Sequence, residues 1–326
     1  MTEKVSPTGL PRRRLTGHVL RGAGMLSGFP AMFLGIPFLG FGGIFLLMVA
    51  GIIPAGGNDK PNLIVGALAA VFAGVGLWLF LHGAVTKIKS LISDYRYRRH
   101  PDEPWIWDHR WNPRMARTKE GRSILLGFLF VLLFACFLLP FNWWAFGSPF
   151  SWLPASNECS NPVVGVVIIP FDLVWLFCIG YMVYALVRYI KYGNSRLHFS
   201  SFPFYLGGEL RATLSRVGRL RRARTLTIRL VCVEETFETR EKNRSAGMCY
   251  ALYEDKQVLT AKELREIQGR TLPVAFPLPF YPPATRLTAR PSYYWEVVVT
   301  ADIKGIDYEA VFLVPVYDRR EEHRDS

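Results

Sequence analysis

The residues of this chain that could support chemistry fall into three groups. Asp172 is the only acidic residue inside the long apolar stretches of the sequence. A tryptophan cluster (Trp105, Trp107 and Trp111) lies among carboxylates, a histidine and an arginine. The third group is a run of arginines: Arg216, Arg219, Arg221, Arg222 and Arg224. Each group has a structural explanation beside a functional one, so the elements that carry them must be identified first.

The common catalytic signatures do not occur in this sequence. It contains no H-E-x-x-H, no G-x-x-x-x-G-K-[ST] and no G-x-S-x-G motif. The five cysteines form no C-x-x-C pair, and none has a histidine at metal-ligand spacing. We therefore expect a non-enzymatic protein with no catalytic residue, no metal site and no cofactor.

Four stretches are long and apolar enough to cross a bilayer, which takes about 20 residues of helix. They are Pro30–Ile53, Asn62–Val85, Ser123–Phe146 and Val163–Tyr189. The net charge of +13 would indicate nucleic acid in a soluble protein. Here the basic residues flank apolar stretches, so they indicate anionic lipid headgroups, and we expect membrane lipids and no nucleic acid among the partners.

The charges between these stretches predict the topology, because loops rich in Lys and Arg stay in the cytoplasm. The N-terminal tail holds five Lys/Arg, the first loop one, the loop Thr86–Arg122 ten and the loop Gly147–Pro162 none. This alternation predicts a multi-pass protein with both termini in the cytoplasm. Small residues in the first two helices (Gly66, Ala70 and Gly74; Ala31 and Gly35) predict close helix packing, either inside one bundle or at a dimer face.

After Tyr192 the pattern changes to the period of two that is typical of half-buried strands. Leu226, Ile228 and Leu230 show it, and so do residues 293–302 and 308–314. Further strands are predicted at Arg196–Ser200, Glu209–Ser215, Met248–Tyr253 and Leu272–Leu278. A capping box of Thr260 and Glu263 predicts one short helix, which Gly269 ends.

The predicted fold class is four transmembrane helices followed by an all-β sandwich of the immunoglobulin-like or arrestin-like kind. The domains are a basic tail (1–28), a helical domain (29–190) with a cytoplasmic Trp-rich loop (86–122), the sandwich (191–318) and a charged tail (319–326).

Two parts of the sandwich resemble arrestin-type domains. The first is Tyr205–Leu214 followed by the strand Thr225–Val233, and the second is Leu272–Pro279, then Pro282-Pro283, then Tyr293–Asp302. The resemblance covers roughly residues 195–318 and implies a protein-binding scaffold. The segment Pro101–Trp111 resembles a motif of uncharacterised bacterial four-helix membrane proteins, which implies the inner membrane of a bacterium.

The role of Asp172 depends on where its helix begins. A start at Pro162 places Asp172 ten residues in, about 15 Å deep at 1.5 Å per residue. A start at Pro170 places it in the first turn, where the helix dipole favours a carboxylate. We favour the second alternative. A packing or hydrogen-bonding role and the handling of protons or ions are the other two.

The tryptophans and arginines have non-catalytic explanations. Trp105, Trp107 and Trp111 are typical of an interfacial anchor, or of a loop that docks against the sandwich. The arginine run lies between two predicted strands, so we expect it on a hairpin loop. There it can be a solvated turn, contact anionic lipid or bind an acidic partner.

The expected function is that of a membrane protein that presents a cytoplasmic β-sandwich to a protein partner. The alternative is a transport or channel component that uses Asp172.

The charge alternation makes a direct prediction about topology. Alkaline phosphatase fused after Asn62 or Ser156 should be active, because both points are predicted outside the cytoplasm. Fusions after Arg110 or at the C-terminus should be inactive. An active C-terminal fusion would contradict the proposed orientation, and immunoblots must show equal expression of all four fusions.

Overall fold

A computed structural model describes residues 12–15, 18, 29–52, 63–118, 120–146, 162–215, 220, 222–240, 244–267 and 271–319. The chain divides into two compact units. One contains residues 25–90 and 120–190, and the other contains residues 1–24, 91–119 and 191–326. The second unit is therefore assembled from three separate parts of the chain.

The helical unit consists of long apolar helices. Among the described residues, four helices are long and apolar enough to cross a membrane. Their bounds are α1 Phe29–Val49, α2 Leu63–Arg99, α4 Glu120–Phe146 and α5 Pro162–Tyr192. The four predicted spans are thus present, but α2 continues fourteen residues beyond its predicted end at Val85. No Gly or Pro interrupts residues 86–99, so the backbone keeps its helical hydrogen bonds after the apolar stretch ends.

Helices α1 and α2 pack backbone against backbone. A Cβ atom on Gly42 would lie 2.3 Å from the nitrogen of Ala73, and one on Gly76 would lie 2.3 Å from the nitrogen of Leu39. Gly35 faces Gly76 in the same way, as predicted for a small residue. In the predicted row on α2, a Cβ on Gly66 would lie 3.3 Å from the Val49 side chain of α1, whereas a Cβ on Gly74 would meet nothing within 4 Å. The contacting row holds Ala69, Ala73 and Gly76.

The described residues of the other unit lie mainly in β-strands, with the short helices α3 (Pro104–Trp107) and α6 (Ala261–Glu266) and the ends of two long helices. Its strands are β1 Arg13–Leu15, β2 Met115–Arg117, β3 Arg196–Phe199, β4 Phe204–Tyr205, β5 Glu209–Ser215, β6 Thr225–Arg240, β7 Arg244–Thr260, β8 Thr271–Pro277, β9 Ser292–Asp302, β10 Tyr308–Val314 and β11 Val316–Tyr317. The strands predicted from period-two alternation are all present. The capping box at Thr260 and Glu263 also forms.

Within the described residues, these strands form two antiparallel sheets and one short parallel pair. The larger sheet has the order β1-β7-β6-β9-β10, the smaller has the order β2-β3-β5-β8, and β11 pairs with β4. Side chains from both sheets share one buried core, including Ile228, Leu214, Phe276 and Trp295. The edge strands β1 and β2 come from outside the C-terminal region, one from the N-terminal tail and one from the segment between α2 and α4.

The core predicts a clear difference between two substitutions. Ile228 is 1% exposed, so Ile228→Asp buries an unpaired charge and should cost several kcal/mol of folding free energy. Val258 is 50% exposed on the neighbouring strand β7, so Val258→Asp should leave the sandwich folded. Limited proteolysis of the full chain in mild detergent should show rapid cleavage of the C-terminal region in the first variant alone. Equal resistance of the two variants would contradict the strand assignment.

Candidate functional site

Asp172 lies in the interior of α5 and not in its first turn. Helix α5 begins at Pro162, so the favoured start at Pro170 was wrong: Pro170 is an internal proline. Asp172 is 1% exposed, and its Oδ1 accepts a hydrogen bond of 2.9 Å from Nδ2 of Asn142 on α4. The same amide nitrogen lies 3.3 Å from the carbonyl oxygen of Leu138. The carboxylate therefore joins α4 to α5 through a buried polar pair.

A second hydrogen bond joins α5 to α4 three residues beyond Asp172. Trp175 donates from Nε1 to the backbone oxygen of Val131 on α4, at 3.0 Å. Hydrogen bonds between helices stabilise packing where no water competes for the polar groups. The geometry thus gives Asp172 a hydrogen-bonding role, one of the two alternatives that require a helix start at Pro162.

Two members of the predicted tryptophan cluster, Trp105 and Trp111, pack against tyrosines of the sandwich. Trp105 contacts the rings of Tyr205 and Tyr317, with centroids 6.4 and 5.9 Å away. Trp111 donates from Nε1 to the hydroxyl of Tyr317 at 2.8 Å. Trp107 lies edge-on to Tyr97 at 4.9 Å. For Trp105 and Trp111 this is the docking alternative, and insertion of these rings at a lipid interface stays a prediction.

Asp108 fixes this loop to the sandwich, and sequence reasoning did not single it out. Its carboxylate is 7% exposed and accepts hydrogen bonds from the backbone nitrogens of Leu287 and Thr288, both at 3.0 Å. The hydroxyl of Thr288 donates a third bond of 2.8 Å. Burial and the negative charge of Asp108 raise the pKa of Tyr317, which stays a neutral hydroxyl beside the loop.

The N-terminal tail makes a second docking contact, which the sequence analysis also missed. Nη2 of Arg12 lies 2.7 Å from Oε1 of Glu234, and Nε2 of His18 lies 2.9 Å from Oε2 of Glu296. Both glutamates are fully buried. The one sequence signal was the Glu234-Glu235 pair, because two adjacent acidic residues interrupt the apolar alternation of β6.

The predicted arginine run is only partly described, and it does not lie on a hairpin. Arg216, Arg219 and Arg221 lie outside the described residues, while Arg222 and Arg224 are exposed. Strand β5 belongs to the smaller sheet and β6 to the larger one, so the connection crosses between sheets. The prediction of a hairpin loop was wrong, since two alternating strands in sequence need not pair. Contact with lipid stays a prediction.

The described residues include two buried cysteine thiols in the β unit and no group of metal ligands. Burial raises the pKa of the Cys249 thiol to about 11, and it raises the pKa of Cys232 further, so both thiols stay protonated near neutral pH. In the part of the chain that the structure describes, no three His, Cys, Asp or Glu side chains group as metal ligands. The arrangement can hold segments of chain by hydrogen bonds, ion pairs and apolar contact.

Comparison with known proteins adds little to this geometry. No protein-family model and no curated protein matches the chain. Among solved structures, a match is the sporulation control protein Spo0M from Bacillus subtilis, at 16% identity and a TM-score of 0.27. The match covers 38% of this chain and 49% of that one, so the chain spans about half the length of that structure. A likeness at this score carries no argument about fold or function.

The hydrogen bonds of Asp108 predict a specific loss of stability. Asp108→Asn replaces one acceptor oxygen with an amino group that faces backbone donors, and it should cost about 1–3 kcal/mol. Asp302→Asn is the matched control, because Asp302 has an exposed side chain on the same unit. Denaturant titration of the full chain in detergent, followed by tryptophan fluorescence, should show a lower midpoint for Asp108→Asn alone. Equal midpoints would contradict the docking role.

Proposed function

We propose that this chain is a non-enzymatic membrane protein that presents a cytoplasmic β-sandwich as a protein-binding module at the inner membrane of a bacterium. The observation that carries the proposal is strand addition. The sheets already hold two three-residue strands from remote parts of the chain, with β1 on the edge of β7 and β2 on the edge of β3. An edge that pairs with extended segments in this way is a general means of binding peptides.

The composition of the β unit supports the proposed topology. The N-terminal tail, residues 91–119 and the C-terminal region all belong to this unit. Segments that build one unit lie on the same side of any membrane that the helices cross. These are also the segments whose Lys and Arg content predicts a cytoplasmic location, so packing and charge support the same arrangement.

Exposed aromatic side chains give the sandwich a second feature of binding surfaces. Phe280 is 75% exposed and Tyr281 is 88% exposed, on the connection between β8 and β9. The Phe280 ring lies over Gly207, where even a Cβ atom would meet it at 1.9 Å. Gly207 has a φ of +74°, a backbone conformation that favours glycine, and a larger residue here would also clash with the Phe280 ring. Rigid exposed aromatic residues are typical of sites that dominate protein interfaces.

The arrestin-type character of the sandwich is part of the same proposal. Its support is the sequence resemblance over residues 195–318 and the two-sheet architecture. That resemblance implies a scaffold that binds partners along strand edges or loops, which agrees with the strand addition at β1 and β2.

The buried pair of Asp172 and Asn142 favours one alternative, a transport or channel component. A carboxylate held about 15 Å along a spanning helix, at 1.5 Å per residue, is costly and often marks a path for protons or ions. The hydrogen bond to Asn142 gives the carboxylate a structural reason to be there, and we therefore rank this function second.

Truncation and substitution separate the two functions. Ending the chain at Ile190 removes most of the sandwich, so stable partners that co-purify in mild detergent should be lost while the helices still insert. Asp172→Asn keeps the shape of the side chain, so the partners should remain. Quantitative mass spectrometry of both variants and of the folded control Val258→Asp measures this. Retention by the truncated chain, together with loss in Asp172→Asn, would contradict the scaffold and favour transport.

A further inference from the structure

The outer face of the larger sheet carries a second apolar cluster that needs a cover. The cluster comprises Val231, Val233, Cys249, Ala251, Leu287, Tyr294 and Val298. It lies on the opposite face of β6 from the main core, because Leu230 and Cys232 point into that core. Leu15 from the tail and Trp111 from the loop between α2 and α4 pack against it. Part of this cover is therefore a short segment from the start of the chain.

The tail is held by main-chain pairing that is independent of side-chain type. Arg13, Arg14 and Leu15 pair with Ala251, Tyr250 and Cys249 on the edge of β7. Any extended segment can form the same ladder, so side chains must supply the selectivity.

Contacts with two buried carboxylates supply that selectivity, and the contact with Arg12 reads a positive charge. Glu234 is fully buried opposite Arg12, which is 10% exposed, and Glu296 is fully buried opposite His18, which is 18% exposed. A buried carboxylate that loses its cation is strongly destabilised. A segment that lacks a cation at the Arg12 position, or carries a carboxylate at either position, is therefore disfavoured.

Aromatic rings of the larger sheet also contact the Arg12 and His18 side chains. The Arg12 guanidinium lies 5.2 Å from the centre of the Tyr250 ring, and the His18 ring stacks on Tyr294 at 6.3 Å. Leu15 fills the apolar position between them. The surface thus reads a segment with arginine, then an apolar residue three positions later, then an imidazole ring three positions further on.

We propose that the surface formed by the β7 edge, Glu234 and Glu296 binds a basic extended segment of a partner protein, and that Arg12–Leu15 and His18 of the tail occupy it in cis. This inference rests on the proposed function and names the chemistry of its partner. The cis tail competes at a high effective concentration, so a partner segment binds when the tail is released or outcompeted.

The test uses the full chain in mild detergent with a protease site introduced between His18 and Phe29. Cleavage leaves the tail held only by its contacts. The probe is a fluorescent peptide of residues 12–18, Arg-Arg-Arg-Leu-Thr-Gly-His, and its anisotropy measures binding. We expect the peptide to bind the cleaved protein at least tenfold more tightly than the uncut protein. A peptide carrying Arg12→Glu and His18→Glu should bind at least tenfold more weakly.

Variants of the protein provide the matched comparison. Glu234→Gln and Glu296→Gln should each weaken peptide binding about tenfold or more, whereas the exposed Glu266→Gln should not. If either buried variant fails to fold, the charge-reversed peptide makes the same comparison on the unchanged protein.

Three results would overturn the proposal. They are equal binding to cut and uncut protein, binding that ignores charge reversal, and a cleaved tail that a hundredfold excess of peptide fails to displace. A dimer by light scattering that forms by exchange of tails would replace the partner with a second copy. If the peptide fails while partners still depend on the sandwich, this inference falls and the proposed function stands.

Discussion

The larger sheet is apolar on both faces, and much of the β unit's construction depends on this constraint. One face joins the main core, and the other presents Val231, Val233 and Tyr294 at the surface that the tail and loop cover. An apolar face and an unpaired strand edge left in water both promote association with other chains. Here the cover comes from before α1 and from between α2 and α4, so segments that flank the helices become structural parts of the sandwich.

The pattern of apolar residues predicted the strands and helices whose formation depends on residues close together in the sequence. Alternation at Leu226, Ile228 and Leu230 marks a strand because burial of one face sets the period. Hydropathy located the spans, but it placed the end of α2 at Val85, since a helix can outlast its apolar stretch when no Gly or Pro follows. Strands β1 and β2 were missed because three residues carry no periodicity. Their pairing partners lie 79 or more residues away in the sequence.

A candidate site residue such as Asp172 could be predicted from the sequence, but the residue that it contacts could not. Asp172 stood out as a carboxylate in an apolar stretch, yet Asn142 is thirty residues away and only packing brings them together. Pro170 misled the choice of helix start, because proline suits a first turn and is also tolerated inside spanning helices. The pair of Arg12 and Glu234 is separated by 222 positions, so no local spacing could indicate it.

Stability alone does not explain why ion pairs occupy the tail contact. Replacing a buried ion pair with well-packed apolar side chains is often neutral or stabilising, so apolar residues would cover this face at least as well. The charges do fix register. A slip of one residue would turn Leu15 away from the apolar cluster and carry Arg12 away from Glu234, and the 2.7 Å contact between their charges would be lost. A three-residue strand has few backbone bonds with which to resist such a slip. The contacts of Arg12 and His18 with the two buried carboxylates therefore define which segment binds and in which register, and a recognition surface requires this property.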